Sequence, residues 1–348
     1  MSFFGVTVEE IKQVGPIEGA DRIEVASLAG MDYSFVIMKG QFKPGDKILY
    51  FPVDSLIPID VATKMGLDGK LSGKNKDRVK TVRLRGQISQ GIVANLTLVP
   101  EDVMSRGPEA ITDFLGVKKW DPPEVPCHNA TLKRLPDGVP VYDIESADRY
   151  VGIAAMLMDQ PVMVSEKVEG SNFSVLVTGG EVMVNQHNYT IIPNEGAEHT
   201  FWKVAHDQKI IEFAKSISSS NGGKDVVVYG EMLGPGIQGN IYKLAAHKVL
   251  FFDIMVNRQW LPPEAFALAV QGFYGTLEGI AVPILSMEKT LSEWLGGKTI
   301  KQASDGKSLL ADVGREGVVI KPMTEQRDSV LGRLFLKQRS PEYLAKEK

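Results

Sequence analysis

Short apolar runs divided by glycine and proline fill the first hundred positions. Ile23–Ala29, Ser34–Lys39, Lys47–Val53, Arg78–Leu84 and Gly91–Leu98 each have the length and the branched or aromatic content of a strand. The hexapeptide Q-F-K-P-G-D at 41–46 reads as a turn with Pro44 and Gly45 at its centre. Five strands in so short a span predict a small closed barrel, because closure removes edges that little chain is left to cover.

Breakers then crowd the chain: Pro100, Pro108, Pro122, Pro123, Pro126, Pro136 and Pro140 surround one short helical run at Ala110–Leu115. They predict a stiff connection rather than a floppy tether. The expected organisation is a first domain over 1–120, a proline-rich connection over 121–145 and a second domain over 146–348.

The second domain opens on V-S-E-K-V-E-G-S-N-F-S-V at 164–175, a strand ending in a tight turn and followed by strand-like alternation. A turn at Thr178–Glu181 and the run V-M-V-N-Q-H-N-Y-T complete an antiparallel pair. A helix is expected over His199–Ser216, with Trp202, Ala205, Ile210, Phe213 and Ala214 on one side and Ser218–Gly223 as its end. The stretches at 226–238, 249–256 and 314–322 each carry a further strand, the last of them ending at Lys321, giving a two-domain mixed α/β chain.

Bulk composition narrows the class. At 348 residues, 43% hydrophobic and 24% charged, the chain is an ordinary globular one, long enough for two cores. The lone Cys127 excludes an internal disulfide, and its neighbour His128 lacks the repeated spacing of a zinc site. No charged segment leading into an apolar one opens the chain, and no apolar run nears 18 residues; neither secretion nor membrane spanning is expected.

The formal net charge of −4 conceals a cluster. Lys70, Lys74, Lys76, Arg78, Lys80, Arg83 and Arg85 face only Asp77 between positions 70 and 85. Such an excess of one sign predicts a polyanion-binding surface of salt-sensitive affinity. Arg83 and Arg85 are expected on one face of a strand by period two. No base-reading element accompanies them, so sequence specificity is not expected.

The candidate chemistry lies further on. Lys167 ends a strand, Glu169 stands two residues away, and Gly170 permits backbone placement that a side chain would forbid. Glu231 follows a very apolar strand, where a carboxylate is costly without a cation or metal. Phe252 and Asp253 sit in V-L-F-F-D-I-M-V; the ring suits either core packing or a flat ligand. Glu316 precedes a strand ending at Lys321, and Lys337 and Arg339 alternate around Gln338. A lysine, separated carboxylates and paired cations at strand ends suit phosphoryl or nucleotidyl transfer. Neither a GxxxxGK[ST] loop nor a glycine-rich dinucleotide turn is present.

In this order the motifs resemble those of the covalent lysyl-nucleotidyltransferases, the ATP-dependent polynucleotide ligases and mRNA capping enzymes. Within them the chain is most similar to RNA ligases of the Naegleria type. E-K-V-E-G at 166–170 resembles the nucleophile motif, Y-G-E-M at 229–232 the segment whose glutamate helps hold metal and ribose, and F-F-D-I at 251–254 the aromatic-Asp motif. E-G-V-V at 316–319 and L-K-Q-R-S at 336–340 resemble the later glutamate and final basic motifs. The family pattern differs at Glu169, where ligases commonly carry Asp, and at Arg339, where many carry a second lysine. Gln186, His187 and Asn188 stand where viral relatives place an arginine.

The resemblance implies an OB-like barrel ahead of an α+β adenylyltransferase domain built on antiparallel sheets. It implies ATP as cofactor, with AMP carried covalently on Lys167, then on a 5′-phosphate end, before a 3′-hydroxyl seals the RNA. The implied catalytic residues are Lys167, Glu231, Glu316, Lys337 and Arg339. Nucleotide contacts are implied for Glu166, Lys167, Gly170, Glu231, Phe252, Glu316 and Lys337. Glu169, Glu231 and Glu316 are the candidates for holding Mg²⁺ or Mn²⁺. Lys74, Lys76, Arg78, Lys80, Arg83 and Arg85 are the nucleic-acid candidates. The expected role is RNA repair, with nicked duplex as substrate, by a monomer inside the cell or nucleus or from an intracellular virus.

Three other readings have distinct signatures. A DNA ligase or guanylyltransferase usually carries a further OB domain after the final basic motif, and nine residues follow Arg339 here. A non-catalytic nucleic-acid-binding protein would not need Lys167 together with three carboxylates. An aminoacyl-transfer or tRNA-binding accessory would rest on the barrel alone.

Overall fold

The computed structural model describes residues 3–121, 129–329 and 331–346. Cys127, His128 and the prolines at 122, 123 and 126 lie outside the described residues. The chain divides into two compact units: Met1–Pro123 with Ser146–Ala155 and Pro341–Lys348, and Glu124–Glu145 with Met156–Ser340.

The first unit is built on a five-stranded antiparallel sheet in the order Ser34–Met38, Ile23–Leu28, Thr7–Pro16, Lys47–Phe51, Ile92–Ala94. Its central strand, Thr7–Pro16, was not among the expected strands, because charged and polar residues fill half of its length and Ile11 is its one buried side chain. The two edges approach each other: Gln90 N donates to Ser34 O at 2.8 Å and Val36 N to Ser89 Oγ at 3.0 Å. The result is a nearly closed barrel around Phe35, Ile48 and Tyr50. Pro44 and Gly45 form the expected turn, with Gly45 at φ 88.

The expected strand Arg78–Leu84 shortens to Val82–Leu84, which pairs with Gln87–Ser89. Arg85 and Gly86, at φ 48 and 83, are the two-residue turn between them. Two left-handed residues match the twist of a tight hairpin, so Arg85 leaves the strand and does not share a face with Arg83.

The second unit is built on two large sheets, with a two-stranded pair, Arg327–Asp328 and Gly332–Arg333, beside them in the chain. One runs in the order Ala130–Arg134, Tyr189–Pro193, Glu181–Gln186, Ser171–Thr178, Val226–Leu233, Lys248–Val256, Gln259–Trp260. Gly179 and Gly180 make the expected turn, but the run after it breaks at His187–Asn188 into two strands. Alternation divides the faces: Phe173, Val175, Val226 and Val228 pack against Phe201, Phe213 and Phe266, while Val227 and Tyr229 face the other way. The expected helix at 199–216 is two helices, Thr200–Asp207 and Ile210–Ser220, because Lys209 is left-handed at φ 56.

The other sheet carries Leu336–Arg339, Gly317–Pro322, Val162–Lys167 and Ile284–Ser286 in that order. The chain passes from it to the seven-stranded sheet through Val168, Glu169 and Gly170 alone. Among the described residues, no helix is long and apolar enough to cross a membrane.

Candidate active site

The crossing between those sheets sets the geometry. In antiparallel register Lys167 lies opposite Gly317, and Gly317 opposite Arg339. Val319 lies opposite Lys337, so Lys167, Lys337 and Arg339 share one face. A Cβ on Gly317 would meet Gln338 O at 2.1 Å, so the glycine allows the basic strand to close in. Glu316, one residue earlier and 5% exposed, receives both neighbours: Lys167 Nζ donates to its Oε1 at 2.8 Å, and Arg339 Nε lies 3.2 Å from the same oxygen.

Glu231 enters from the other sheet. Gly170 brings it close: a Cβ there would lie 2.6 Å from both Glu231 Cγ and Met232 O. Close approach, rather than a left-handed backbone, is what requires this glycine. Burial pushes the Glu231 carboxyl up to about 8; Lys167 opposes the shift and Glu316 adds to it. Lys337 moves the other way, lowered to about 8 by burial and by the charges of Lys167 and Arg339. Among the described residues, no group of three or more His, Cys, Asp or Glu side chains is arranged to hold a metal alone. A cation there would draw its remaining ligands from phosphate or water.

Glu166 and Glu169 have other partners. Period two turns Glu166 to the opposite face from Lys167, where its carboxylate accepts from Ser308 Oγ at 2.8 Å and Leu309 N at 2.7 Å. Glu169 Oε1 accepts from Gly239 N at 3.0 Å, and Glu169 N donates to Tyr242 Oη at 3.0 Å.

Phe252 is the extra residue of a β-bulge. Tyr229 pairs with Asp253 and Gly230 with Phe251, leaving Phe252 unmatched. Its ring lies 4.6 Å from that of Tyr142, centroid to centroid. Behind it, Asp253 is 1% exposed and meets Lys321 Nζ at 2.8 Å, with Arg333 Nη1 and Tyr142 Oη each at 2.5 Å. Burial opposes the charge of Asp253, yet Lys321 and Arg333 hold its carboxyl below the usual range. Lys321 Nζ also donates to Phe252 O at 2.7 Å, which pins the bulge. Sequence reading left Tyr142 and Arg333 unremarked; only the fold brings positions 142, 253, 321 and 333 together.

A family model described as RNA ligase matches residues 160–337, and a model for an OB-fold domain matches 5–96. The chain belongs to the RNA ligase family. Its fold is that of Naegleria gruberi RNA ligase. The structure of that protein with PPi is 28% identical, at a TM-score of 0.79 over 98% of each chain. A lysine-to-alanine variant with ATP and Mn is 28% identical, at 0.81 over 98% of each chain. A lysine-to-methionine variant with AMP and Mn is 28% identical, at 0.80 over the same shares. No curated protein matches the chain by sequence.

In the first unit of this RNA ligase, the basic residues divide by environment. Lys74, Lys76, Arg83 and Arg85 are exposed and Lys80 is partly buried. Arg78 is 6% exposed: it reaches Asp54 Oδ1 at 2.6 and 3.0 Å and lies 3.2 Å from the Trp120 ring centroid. Its guanidinium is spent inside the fold, which removes it from the polyanion surface expected from charge alone.

Proposed function

We infer that this chain seals RNA ends by way of an adenylate carried on Lys167. It is an ATP-dependent RNA ligase, and a divalent metal ion is its cofactor. The observation that carries the reading is the meeting of Lys167, Glu316, Arg339 and Glu231 where the two sheets join, inside a chain of the RNA ligase family.

The lysine nitrogen attacks the α-phosphorus of ATP: an N–P bond forms and the P–O bond to pyrophosphate breaks. AMP then passes to a 5′-phosphate oxygen, and a 3′-hydroxyl displaces it as the phosphodiester forms. An ammonium nitrogen has no lone pair to give, so the attacking nitrogen of Lys167 must carry one proton fewer than an ammonium. Glu316 Oε1 is placed to accept that proton. Lys337 and Arg339 supply positive charge on the same face, suited to the phosphates.

The carboxylates fit a divalent ion. Glu231 has Lys167 as the charge opposing its raised pKa, and Glu316 makes ionisation harder still. Glu231 and Glu316 would hold the ion, which supplies charge neutralisation at the phosphate oxygens. Phe252, braced by Tyr142, offers its ring to adenine.

The finer reading is a monomer acting inside the cell on 3′-hydroxyl and 5′-phosphate ends abutted in a nicked duplex, the reaction of EC 6.5.1.3. Lys74, Lys76, Lys80, Arg83 and Arg85 would contact the backbone of the substrate. Incubation with labelled ATP and, separately, GTP tests the first step. One acid-labile AMP per chain on Lys167 is expected; label from GTP alone, or none, overturns it. Sealing of nicked duplex against single-stranded RNA tests the substrate.

A further inference from the structure

We propose that Glu169 is a positioning residue, which fastens one loop to the turn carrying Lys167 and so sets the spacing of three site residues. This rests on the reading of Lys167 as the nucleophile. The loop is Gly234–His247, the connection between the strand bearing Glu231 and the strand bearing Phe252. It closes at its base, where His247 Nε2 meets Pro235 O at 2.7 Å and a Cβ on Gly234 would lie 2.8 Å from His247 Cα.

Its far side is tied to the lysine turn. Gly239 N donates to Glu169 Oε1, and Tyr242, 6% exposed, accepts from Glu169 N. Between these ties the loop holds Gln238, Asn240 and Lys243 at φ 45, 41 and 53, conformations that side chains rarely adopt. Such a path needs fasteners. Asn240 supplies one within the loop, exchanging two bonds with Leu244 at 3.1 Å each, and Glu169 supplies the one that reaches across.

The consequence is triangulation. Lys167 is two residues from Glu169, Glu231 three residues before the loop, and Phe252 five residues after it. Fixing the loop to the turn ties together the three segments that hold nucleophile, half-buried carboxylate and aromatic platform. The contact also gives a reason for glutamate over aspartate at this position. Aspartate is one methylene shorter and would fall short of Gly239 N from the same backbone.

Two substitutions separate this role from metal ligation, because they rank in opposite order. Glu169→Gln keeps the length and the accepting oxygen but loses the charge; Glu169→Asp keeps the charge but loses the reach. A positioning role predicts that Glu169→Gln retains self-adenylation within about twofold, while Glu169→Asp loses about tenfold or more. In the protein without metal or nucleotide, amide exchange at Gly239 should rise about tenfold or more in Glu169→Asp and stay near parental in Glu169→Gln. Tyr242→Phe, which removes the second tie, should shift the loop's exchange in the same direction as Glu169→Asp. Full activity in Glu169→Asp with loss in Glu169→Gln, the loss being recovered by more Mn²⁺, would overturn the proposal in favour of a metal ligand. Faster exchange without any change in adenylation rate would overturn positioning while leaving Lys167 as nucleophile. An unlabelled parental protein would bring down both.

Discussion

Lys167 Nζ and Arg339 Nε, from strands on either side of Gly317–Pro322, converge on a single oxygen, Glu316 Oε1, at 2.8 and 3.2 Å. One carboxylate therefore holds the nucleophile and a basic-motif side chain in a fixed relation before substrate arrives. Glu316→Gln keeps the shape and removes the charge, leaving two cations facing each other. Self-adenylation in single turnover should fall by about 10²–10³-fold. Lys167→Ala should carry no AMP at all by intact mass. A glutamine variant adenylated at the parental rate would reassign Glu316 to structure.

The raised pKa of Glu231 gives a stability prediction with a definite sign. A carboxyl raised from 4.5 to about 8 leaves its contribution to stability intact below pH 4.5 and loses it as pH rises through about 8. Lys337, lowered from 10.5 to about 8, acts differently: its contribution is present above 10.5 and is lost as pH falls through about 8. Metal-free protein should therefore melt lower at pH 8.5 than the Glu231→Gln variant, with the gap closing by pH 5. Each kcal/mol moves the midpoint by about 2–4 °C in a domain of this size. Mn²⁺ at pH 8.5 should raise the parental midpoint more than that of the variant. A gap independent of pH would place the carboxyl in an ordinary environment.

How much of this was legible along the chain follows from what local pattern can encode. Runs such as Val226–Val228 declare strands by apolar content, and the Pro44–Gly45 turn declares itself by residue type. Thr7–Pro16 did not, because its pairing on both sides is carried by backbone and only Ile11 along it is buried. The break at Lys209 carries no glycine or proline to mark it. At the site, ordered motifs identified Lys167 and Glu316, whose facing is a matter of register. The Asp253 cluster was hidden because its members come from four separate stretches. Arg78 was misread for the same reason: its partners, Asp54 and Trp120, are distant in sequence.

Gly170 tests the close approach of the lysine turn to Glu231. Alanine there must displace Glu231 Cγ or the Met232 carbonyl, each 2.6 Å from the new carbon. The expected cost is about 1–3 kcal/mol of stability, read from denaturant unfolding. Adenylation should fall by more than this loss of folded protein explains, since either displacement moves the strand segment that carries Glu231. Parental stability and rate together would show that the turn has slack.

The basic stretch of the first unit yields a prediction in which neighbouring arginines behave oppositely. Arg85 sits exposed at the tip of the hairpin, Arg83 is tied to Glu342 at 2.5 Å, and Arg78 is buried against Asp54 and Trp120. If the exposed cations contact phosphate, Arg85→Gln should weaken RNA binding and reduce the slope of log K against log salt by about one unit. Its melting temperature should not move, because the residue is exposed in the turn. Arg83→Gln should give a smaller loss of affinity, since a phosphate gains that guanidinium only in competition with Glu342. Glu342→Gln should then strengthen binding slightly at low salt, where an exposed ion pair counts for most. Arg78→Met should leave the salt slope unchanged and lower stability by about 1–3 kcal/mol, as Asp54 loses its partner in a largely buried setting. Binding at four salt concentrations together with melting curves separates these effects. A salt slope that falls in Arg78→Met as much as in Arg85→Gln would mean that charge count, not placement, governs the interaction.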